Sequence, residues 1–279
     1  MLLHPASSKS ILAGVVQEYA LGKKENRKRE RQLDMAVATI QRRYGHWALV
    51  KGKQASTPGD AVDIPHISTG FPCLDRALGI GGLPKGRVCE IIGPATSGKT
   101  TLALKFLVQA QAGGSQVGYV DQALYFDPDY AHRCGVDLSH LLVGVPHDLR
   151  ETLAMTEALV RSGGLSALVM DALDLFWTDP EATSSLAATL NRFPAFLARS
   201  GAVLLVLHES VTARSPALSA LSHLATVRLQ VSRERWIKRH GDVRGYEARV
   251  EVLKNRMGPA GRAVSIAIEF NGTVRGEGL

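Results

Sequence analysis

Short apolar segments alternate with helical segments through the middle of the chain, and this alternation predicts the fold class. The predicted strands are 87–92, 116–120, 165–170 and 203–207, and the predicted helices are 99–112, 128–134 and 183–199. Strands that alternate with helices form parallel βαβ units, whose ligands bind at the carboxyl ends of the strands. The sequence therefore predicts an α/β fold with a mostly parallel sheet flanked by helices.

The pattern changes after Ala225 to alternation with a period of two. Three such segments, 226–236, 246–256 and 263–270, are separated by turn residues at 238–245 and 258–261. Strict alternation is typical of strands with one buried face. We expect antiparallel strands that extend the same sheet at the C-terminal end of the chain.

The residues before this core follow a third pattern. Leu33, Val37, Ile40 and Tyr44 recur at helical spacing and form one apolar stripe, which needs a partner surface. Residues 51–63 are rich in Gly, Pro and Ser and have the composition of a linker. The predicted divisions are a basic arm over residues 1–32, a small helix with its linker over 33–66, and the compact core over 67–279.

Composition excludes several classes of protein. Hydrophobic residues make up 45% of the 279 residues, and no apolar run approaches the ~18 residues of a membrane span. The 3 cysteines lack paired metal spacing, which favours a reducing compartment over a disulfide scaffold or a zinc site. We therefore expect a soluble, cytoplasmic protein without membrane contact.

The charge indicates an anionic partner. The net charge is +7, for which nucleic acid or a nucleotide is the natural candidate. Much of the excess lies in KKENRKRER, residues 23–31, so the basicity belongs to the arm more than to the core. The arm either contacts DNA or an acidic protein, or is a solvated charged helix.

A phosphate-binding motif, G-x-x-x-x-G-K-[ST], lies between a predicted strand and a predicted helix. Its glycines let backbone amides surround phosphates, and the helix N-terminus adds positive potential. The lysine is expected to reach the β and γ phosphates of ATP, and the hydroxyl after it to ligate Mg²⁺. The alternative is a plain turn before a core helix. The predicted nucleotide-binding residues are Gly93, Pro94, Ala95, Thr96, Ser97, Gly98, Lys99, Thr100 and Thr101.

Asp171 directly follows the apolar segment 167–170 and so ends a predicted strand. The chemistry of a phosphate-binding loop requires a carboxylate that holds Mg²⁺. Asp171 is therefore predicted to hold the metal together with Thr100, although an aspartate here could instead cap the next helix.

Several longer segments resemble the RecA family of bacterial recombinases. They are ISTGFPCLDRALGIGGLPKGRVCEIIGPATSGKTTLALKF, VDQALYFDPDYAHRCGVDLSHLL, ALSHLATVRL, ARVEVLKNR and the closing VRGEGL. The resemblance extends over roughly residues 33–279 and keeps the order of the family. It implies a RecA-like P-loop core, with ATP and Mg²⁺ as its ligands.

The resemblance also implies roles for single residues. In DPDY, Asp127 corresponds to a residue that hydrogen-bonds adenine and Tyr130 to a ring that stacks on the base. In KNR, Lys254 and Arg256 correspond to cations that reach the ATP of a neighbouring protomer in a filament. The helix from Leu33 corresponds to one that packs on the next protomer, which makes a homo-oligomer a candidate state. The alternatives are a turn with a core tyrosine for DPDY, and a solvated strand edge for the two cations.

The sequence departs from the family where hydrolysis is concerned. The family has its catalytic glutamate two residues after the aspartate that ends the strand, and Ala123 occupies that position after Asp121. An aligned base contributes ~10²–10⁴ to the rate, so we expect slow hydrolysis or none. Glu209, where the family has a glutamine that senses the γ phosphate, is the candidate substitute base.

The segments that contact DNA in the family differ as well. The segment after Asp171 is short and acidic and offers Phe176 and Trp177 for stacking, and the segment after Glu209 contributes only Arg214 as a cation. The chain ends at VRGEGL, so we expect the separate C-terminal DNA-binding domain of the family to be absent.

These features together indicate a shortened, divergent member of the family, similar to the ImuA and SulA-like proteins. The resemblance implies an accessory of DNA repair and damage tolerance within the SOS response. Its partners are then recombinase protomers or components of a translesion polymerase, with DNA contact through the arm. The alternative is an active DNA-dependent ATPase and recombinase that binds single-stranded DNA and uses a rearranged base.

Overall fold

The structure is a computed structural model that describes residues 27–43, 64–171, 188–209, 216–240, 242–270 and 274–275. The chain divides into two compact units, Met1–Val62 and Asp63–Leu279. Among the described residues, no helix is both long and apolar enough to cross a membrane.

The described part of the first unit is a helix, α1, over residues 27–43. It begins inside the basic run, earlier than the predicted start at Leu33, because Arg, Lys, Glu and Gln all favour helix. Residues 27–32, which the sequence analysis assigned to the basic arm, are thus part of this helix. Tyr44, the last member of the predicted stripe, lies outside the described residues. Leu33 and Met35 are 62% and 64% exposed.

The second unit consists of short helices and strands in alternation, followed by long strands. In chain order these are β1 (His66–Ile67), α2 (Pro72–Leu78), β2 (Leu83–Pro84), β3 (Val88–Ile92), α3 (Lys99–Ala110), β4 (Gln116–Asp121), α4 (Pro128–Arg133), β5 (Leu141–Gly144), α5 (Leu149–Ser162), β6 (Leu165–Asp171), α6 (Phe193–Ser200), β7 (Val203–His208), α7 (Pro216–Leu224), β8 (Val227–Arg239), β9 (Asp242–Asn255), β10 (Ala263–Glu269) and β11 (Val274–Arg275).

The main sheet has nine strands in the order β11-β10-β9-β8-β3-β7-β6-β4-β5. The strands β8, β3, β7, β6, β4 and β5 pair with one another in parallel. On its other side β8 pairs antiparallel with β9, and the pairs β9–β10 and β10–β11 are antiparallel as well. Both parts of the predicted fold class, a mostly parallel sheet and antiparallel strands at the C-terminal end, are confirmed. The carboxyl ends of β3, β4, β6 and β7 therefore meet at one edge of the sheet.

Side chains that alternate along the central strands fill two cores, one on each face of the sheet. On β7, Val203, Leu205 and Leu207 belong to one core, and Leu204 and Val206 to the other. Because both faces are covered, these strands read as continuous apolar runs.

The face of the sheet that carries Leu204 and Val206 also holds a buried charged cluster. Glu90 of β3 is fully buried and accepts from His208 of β7 on one oxygen and from Arg228 of β8 on the other. A buried carboxylate is tolerated when it is paired and hydrogen-bonded in this way. The cluster ties β3, β7 and β8 together next to the edge where their loops begin.

Several elements differ from the sequence prediction. The segment 238–245, predicted as a turn, continues the hairpin, since Lys238 pairs with Val243 and Arg239 with Asp242. Strand β5, the helices α2 and α5, and the two-stranded β1–β2 pair were not predicted. Residues 172–187, which include only the first part (183–187) of the predicted helix 183–199, lie outside the described residues; the described part of that helix includes α6.

Candidate nucleotide-binding site

The loop between β3 and α3 is shaped by two glycines. A Cβ atom on Gly93 would lie 2.2 Å from the carbonyl oxygen of Val231, so a side chain does not fit where the loop leaves the sheet. Gly98, the residue before α3, has φ +106°, a conformation that favours glycine, and a Cβ there would lie 2.6 Å from Ile268. The loop therefore bends sharply enough to expose backbone amides at the N-terminus of α3, which suits a phosphate group.

Lys99 lies almost buried within this loop. Its ammonium nitrogen donates to the carbonyl oxygens of Gly93 and Pro94, at 2.7 and 2.9 Å, and lies 3.8 Å from Oε1 of Glu209. The hydroxyl of Ser97 is buried and has no hydrogen-bond partner in the described part of the chain. A buried hydroxyl beside a positive helix end fits a loop that binds an anion.

The side chains expected to hold Mg²⁺ lie on two elements and are joined by a third residue. The hydroxyl of Tyr119, on β4, donates to Oδ2 of Asp171 at the end of β6, and the side chain of Thr100 at the start of α3 interacts with the same phenol and lowers its pKa. Burial, together with the charge of Asp171, raises the pKa of Tyr119, so the phenol stays protonated and acts as a donor. Thr100 and Asp171 are thus brought to one place, and their oxygens are the kind that Mg²⁺ prefers.

Sequence reasoning did not select Tyr119. The signal was present, because a hydroxyl-bearing side chain lies in an otherwise apolar buried strand and needs a partner there. The partner could not be identified because Asp171 is far away along the chain.

The carboxylate of Asp121, at the end of β4, organises the loop that follows. It is 2% exposed, and its two oxygens accept from the backbone amides of Ala123 and Phe126, at 3.2 and 2.7 Å. Leu124 within this loop has φ +61°, which is uncommon for a residue with a side chain. The position where the family has its glutamate is therefore part of a turn held by Asp121, and the residue there is Ala123.

Asp127 and Tyr130 flank the start of α4. Oδ1 of Asp127 accepts from the amides of Asp129 and Tyr130, so this carboxylate caps the helix. The hydroxyl of Tyr130 lies 2.6 Å from that of Thr101, which ties α4 to α3, and the guanidinium of Arg133 lies 5.6 Å from the ring centroid of Tyr130. The Tyr130 ring is therefore fixed beside the phosphate loop, where a base can stack on it.

Glu209 is the first residue after β7, and its position follows from the pairing of that strand. His208 pairs with Ile92, the last residue of β3, and the amide of Gly93 donates to the carbonyl oxygen of His208 at 3.3 Å. The strand end is thus fixed against the first glycine of the phosphate loop. This register brings the Glu209 carboxylate to Lys99.

Lys254 and Arg256 lie together at the C-terminal end of α7. The ammonium of Lys254 donates to the carbonyl oxygens of Ser222 and His223, at 2.7 and 3.0 Å, and the guanidinium of Arg256 donates to His223 as well. Cations at this end of a helix satisfy its last carbonyls and interact favourably with its dipole. Burial and the neighbouring Arg256 lower the pKa of Lys254.

A second residue that sequence reasoning missed is Arg233 of β8. Its guanidinium lies 4.3 Å from the ring centroid of Trp236 and donates to the hydroxyl of Thr96 in the phosphate loop, at 3.4 Å. The motif spans residues adjacent in sequence, whereas Arg233 reaches the loop from a strand that follows much later.

Three residues predicted to face DNA, Phe176, Trp177 and Arg214, lie outside the described residues.

The chain is similar to known proteins over most of its length. A family model of the RecA N-terminal domain matches residues 31–189. Protein RecA of Rhodospirillum rubrum is 34% identical over 277 residues, which cover 92% of this chain and 74% of that protein. Protein RecA of Sinorhizobium medicae and that of Bdellovibrio bacteriovorus are also each 34% identical, over 272 and 277 residues, and each match covers 73% of the relative.

The family model spans more than half of the chain and includes the phosphate loop, Asp127, Tyr130 and Asp171. The relatives are similar over nine-tenths of the chain, which takes the similarity on through the antiparallel strands. The resemblance noted in the sequence is confirmed, and the chain belongs to the RecA family.

Proposed function

We propose that the chain is a RecA-like protein of DNA recombination and repair that binds ATP with Mg²⁺ and hydrolyses ATP slowly or not at all. One observation carries the proposal. The residue at the position of the family's glutamate is Ala123, and the adjacent carboxylate, Asp121, accepts hydrogen bonds from loop amides on both of its oxygens. Asp121 is thus occupied in holding a turn and is poorly suited to accept a proton from water.

The residues that would hold the nucleotide lie on the loop and on α4. Backbone amides at the N-terminus of α3 and the ammonium of Lys99 would bind the phosphates, and the buried hydroxyl of Ser97 supports this assignment. Tyr130 would stack on the base, and Asp127 would accept from it through the oxygen that does not cap α4.

The metal would bind between α3 and β6. Thr100 and Asp171 would supply its protein ligands, and Tyr119 would orient the carboxylate through its hydrogen bond. When bound, Mg²⁺ neutralises charge on the β and γ phosphates.

We further propose an accessory role beside recombinase protomers or a translesion polymerase during the SOS response. Leu33 and Met35 on α1 are more than half exposed, which leaves apolar surface for a partner helix or a second protomer. The cationic residues of the same helix would contact DNA or an acidic surface.

Nucleotide binding and turnover by the purified protein test this proposal. We expect ATP and Mg²⁺ to bind, Lys99→Ala to abolish binding, and single-stranded DNA to leave turnover unchanged. Lys105→Ala, a charge deletion further along α3, serves as the matched control and should bind like the unchanged protein. No Lys99-dependent binding of any nucleotide would contradict the proposal.

An active DNA-dependent ATPase is the second candidate, and the position of Glu209 favours it. Its carboxylate lies 3.8 Å from Lys99, close to where a γ phosphate binds, and could accept a proton from water there. Turnover stimulated by single-stranded DNA and abolished by Glu209→Gln would establish this function. If the site has no base because Ala123 occupies its position, Glu209→Gln should leave a slow turnover at saturating ATP unchanged.

Lys254 and Arg256 are proposed to act on the nucleotide of a neighbouring protomer. Their present hydrogen bonds to the end of α7 support a second role, in which they hold that helix until a neighbour is bound. A side chain that is hydrogen-bonded to the end of α7 cannot contact a neighbour's nucleotide at the same time, so each cation has only one of the two roles at any moment.

A further inference from the structure

The phosphate-loop lysine has a carboxylate beside it. Oε1 of Glu209 lies 3.8 Å from the Lys99 ammonium, while the carbonyl oxygens of Gly93 and Pro94 contact the same ammonium from the loop. The Glu209 side chain is about half exposed, and that of Lys99 is 9% exposed. Lys99 is therefore almost buried, whereas the carboxylate beside it is partly exposed to solvent.

The position of Glu209 does not depend on its own side chain. The preceding residue, His208, is fully buried, pairs with Ile92 and is hydrogen-bonded to the buried Glu90. The end of β7 is consequently fixed by the hydrogen bond of the His208 side chain to Glu90 and by the pairing of its backbone with β3. The backbone that carries Glu209 is therefore held beside the first glycine of the phosphate loop.

The carboxylate of Glu209 beside Lys99 affects which nucleotide this site can hold. A lysine in this loop meets the terminal phosphates of a bound nucleotide, so the solvent side of its ammonium is where a γ phosphate binds. A γ phosphate is an anion, and a carboxylate a few ångströms away repels it, while a diphosphate leaves that position to the carboxylate.

We propose that Glu209 makes this site select nucleoside diphosphates over nucleoside triphosphates. The inference rests on the proposed nucleotide binding and adds the ligand class that the site prefers. In the diphosphate complex the Lys99 ammonium keeps Glu209 as its counter-charge and the loop keeps its shape. In the triphosphate complex the γ phosphate displaces that carboxylate and remains close to it.

Affinities of ADP and of a non-hydrolysable β,γ-imido analogue of ATP, measured by calorimetry at one fixed Mg²⁺ concentration, test the proposal. The unchanged protein should bind ADP at least about tenfold more tightly than the analogue, given the strength of like-charge repulsion at this separation near a surface. Glu209→Gln keeps the shape and removes the charge, and should bring the ratio of the two affinities close to one. Glu209→Asp, which keeps the charge, should retain a preference for ADP.

A matched control removes one carboxylate elsewhere on the same unit. Glu157 of α5 pairs with Arg161 and Arg192, away from the phosphate loop, so Glu157→Gln should leave the ratio of the unchanged protein intact. A ratio that is the same in the unchanged protein and in Glu209→Gln would overturn the role of Glu209 while nucleotide binding stands. Failure of the unchanged protein to bind either nucleotide would overturn the proposed function and this inference with it.

Discussion

The hydroxyl of Tyr119 joins two side chains that the sequence predicted to hold a metal ion. Tyr119→Phe removes its hydrogen bond to Asp171 without changing the shape of the ring. Loss of a group that orients a metal ligand typically weakens metal binding by about 10–100-fold. We expect nucleotide binding to need about tenfold more Mg²⁺ in the variant, measured as a Mg²⁺ titration of ADP binding.

Tyr125→Phe is the control for this titration, because it makes the same chemical change at a tyrosine that is 83% exposed. A Mg²⁺ dependence that is identical in the unchanged protein and in Tyr119→Phe would show that Tyr119 does not orient the metal ligands.

Single residues of the site were predictable where they are adjacent in sequence and not where the fold brings them together. The motif from Gly93 to Thr100 is local, and the structure gives it the expected loop and helix start. Tyr119 and Arg233 come to this loop from β4 and β8, and strand pairing is needed to place them. The same applies to Glu209 beside Lys99, whose contact follows from the register of β7 against β3.

The buried cluster of Glu90, His208 and Arg228 connects the three strands from which the loops of the site extend. Glu90→Ala leaves the other two groups without their carboxylate partner, and breaking a buried charged pair costs about 3–5 kcal/mol. We expect a loss of that size in the free energy of unfolding, measured from urea denaturation followed by circular dichroism.

Glu247→Ala provides the comparison, because Glu247 forms a two-bond pair with Arg235 at the exposed hairpin of β8 and β9. Surface pairs of this kind contribute about 0–1 kcal/mol. If Glu90→Ala lost no more stability than Glu247→Ala, the cluster would not hold the strand ends.

The cysteines give an independent check of the core. Cys73, Cys89 and Cys134 are all buried, and burial raises the pKa of Cys89 to about 12. Because the thiolate is the reactive form, Cys89 should resist iodoacetamide at pH 8 in the folded protein and react once the protein is unfolded in urea. Mass spectrometry of the labelled protein measures this, and rapid labelling of Cys89 in the absence of urea would contradict the packing.

Helices and strands were predicted best where burial imposes a simple pattern. The central strands are buried on both faces and stand out as apolar runs, whereas β5 is a short edge strand with partly exposed residues. The signal for α5 was present and was overlooked, since Asp148 accepts from the amide of Glu151 at the start of that helix. The hairpin of β8 and β9 continues past the core into solvent, where charged residues give no apolar alternation.

The basic residues at the start of α1 belong to the run 23–31, which either contacts DNA or an acidic protein or is a solvated charged helix. Arg27, Lys28 and Arg31 are exposed. If they bind DNA, changing all three to glutamate should weaken binding and lower the slope of log affinity against log salt by about 0.7 for each lost contact with a single strand. Fluorescence anisotropy with a labelled oligonucleotide at several salt concentrations measures both.

The control for this experiment makes the same change of charge on the other unit, by replacing the exposed residues Lys85, Arg150 and Arg199 with glutamate. Equal losses of DNA affinity in the two triple variants would indicate an effect of net charge and contradict a specific role for α1.

The fold class was predictable from the sequence because it depends on the order of strands and helices, and the proposal of nucleotide binding depends on one local motif. The partner does not follow from the sequence, because recognition depends on surfaces of two molecules. The exposed apolar side chains of Leu33 and Met35 indicate that α1 has surface for a partner. Two apolar side chains fit many different partner surfaces, so they do not identify the partner.

We propose that the chain binds a nucleotide in a site that lacks a catalytic base, because Ala123 occupies the position of that base. Steady-state ATP turnover by the unchanged protein and by Ala123→Glu, with and without single-stranded DNA, tests it most directly. We predict slow, DNA-independent turnover by the unchanged protein and faster turnover by the variant, within the ~10²–10⁴ that an aligned base supplies. Brisk DNA-stimulated turnover by the unchanged protein, with no gain from the glutamate, would contradict the account.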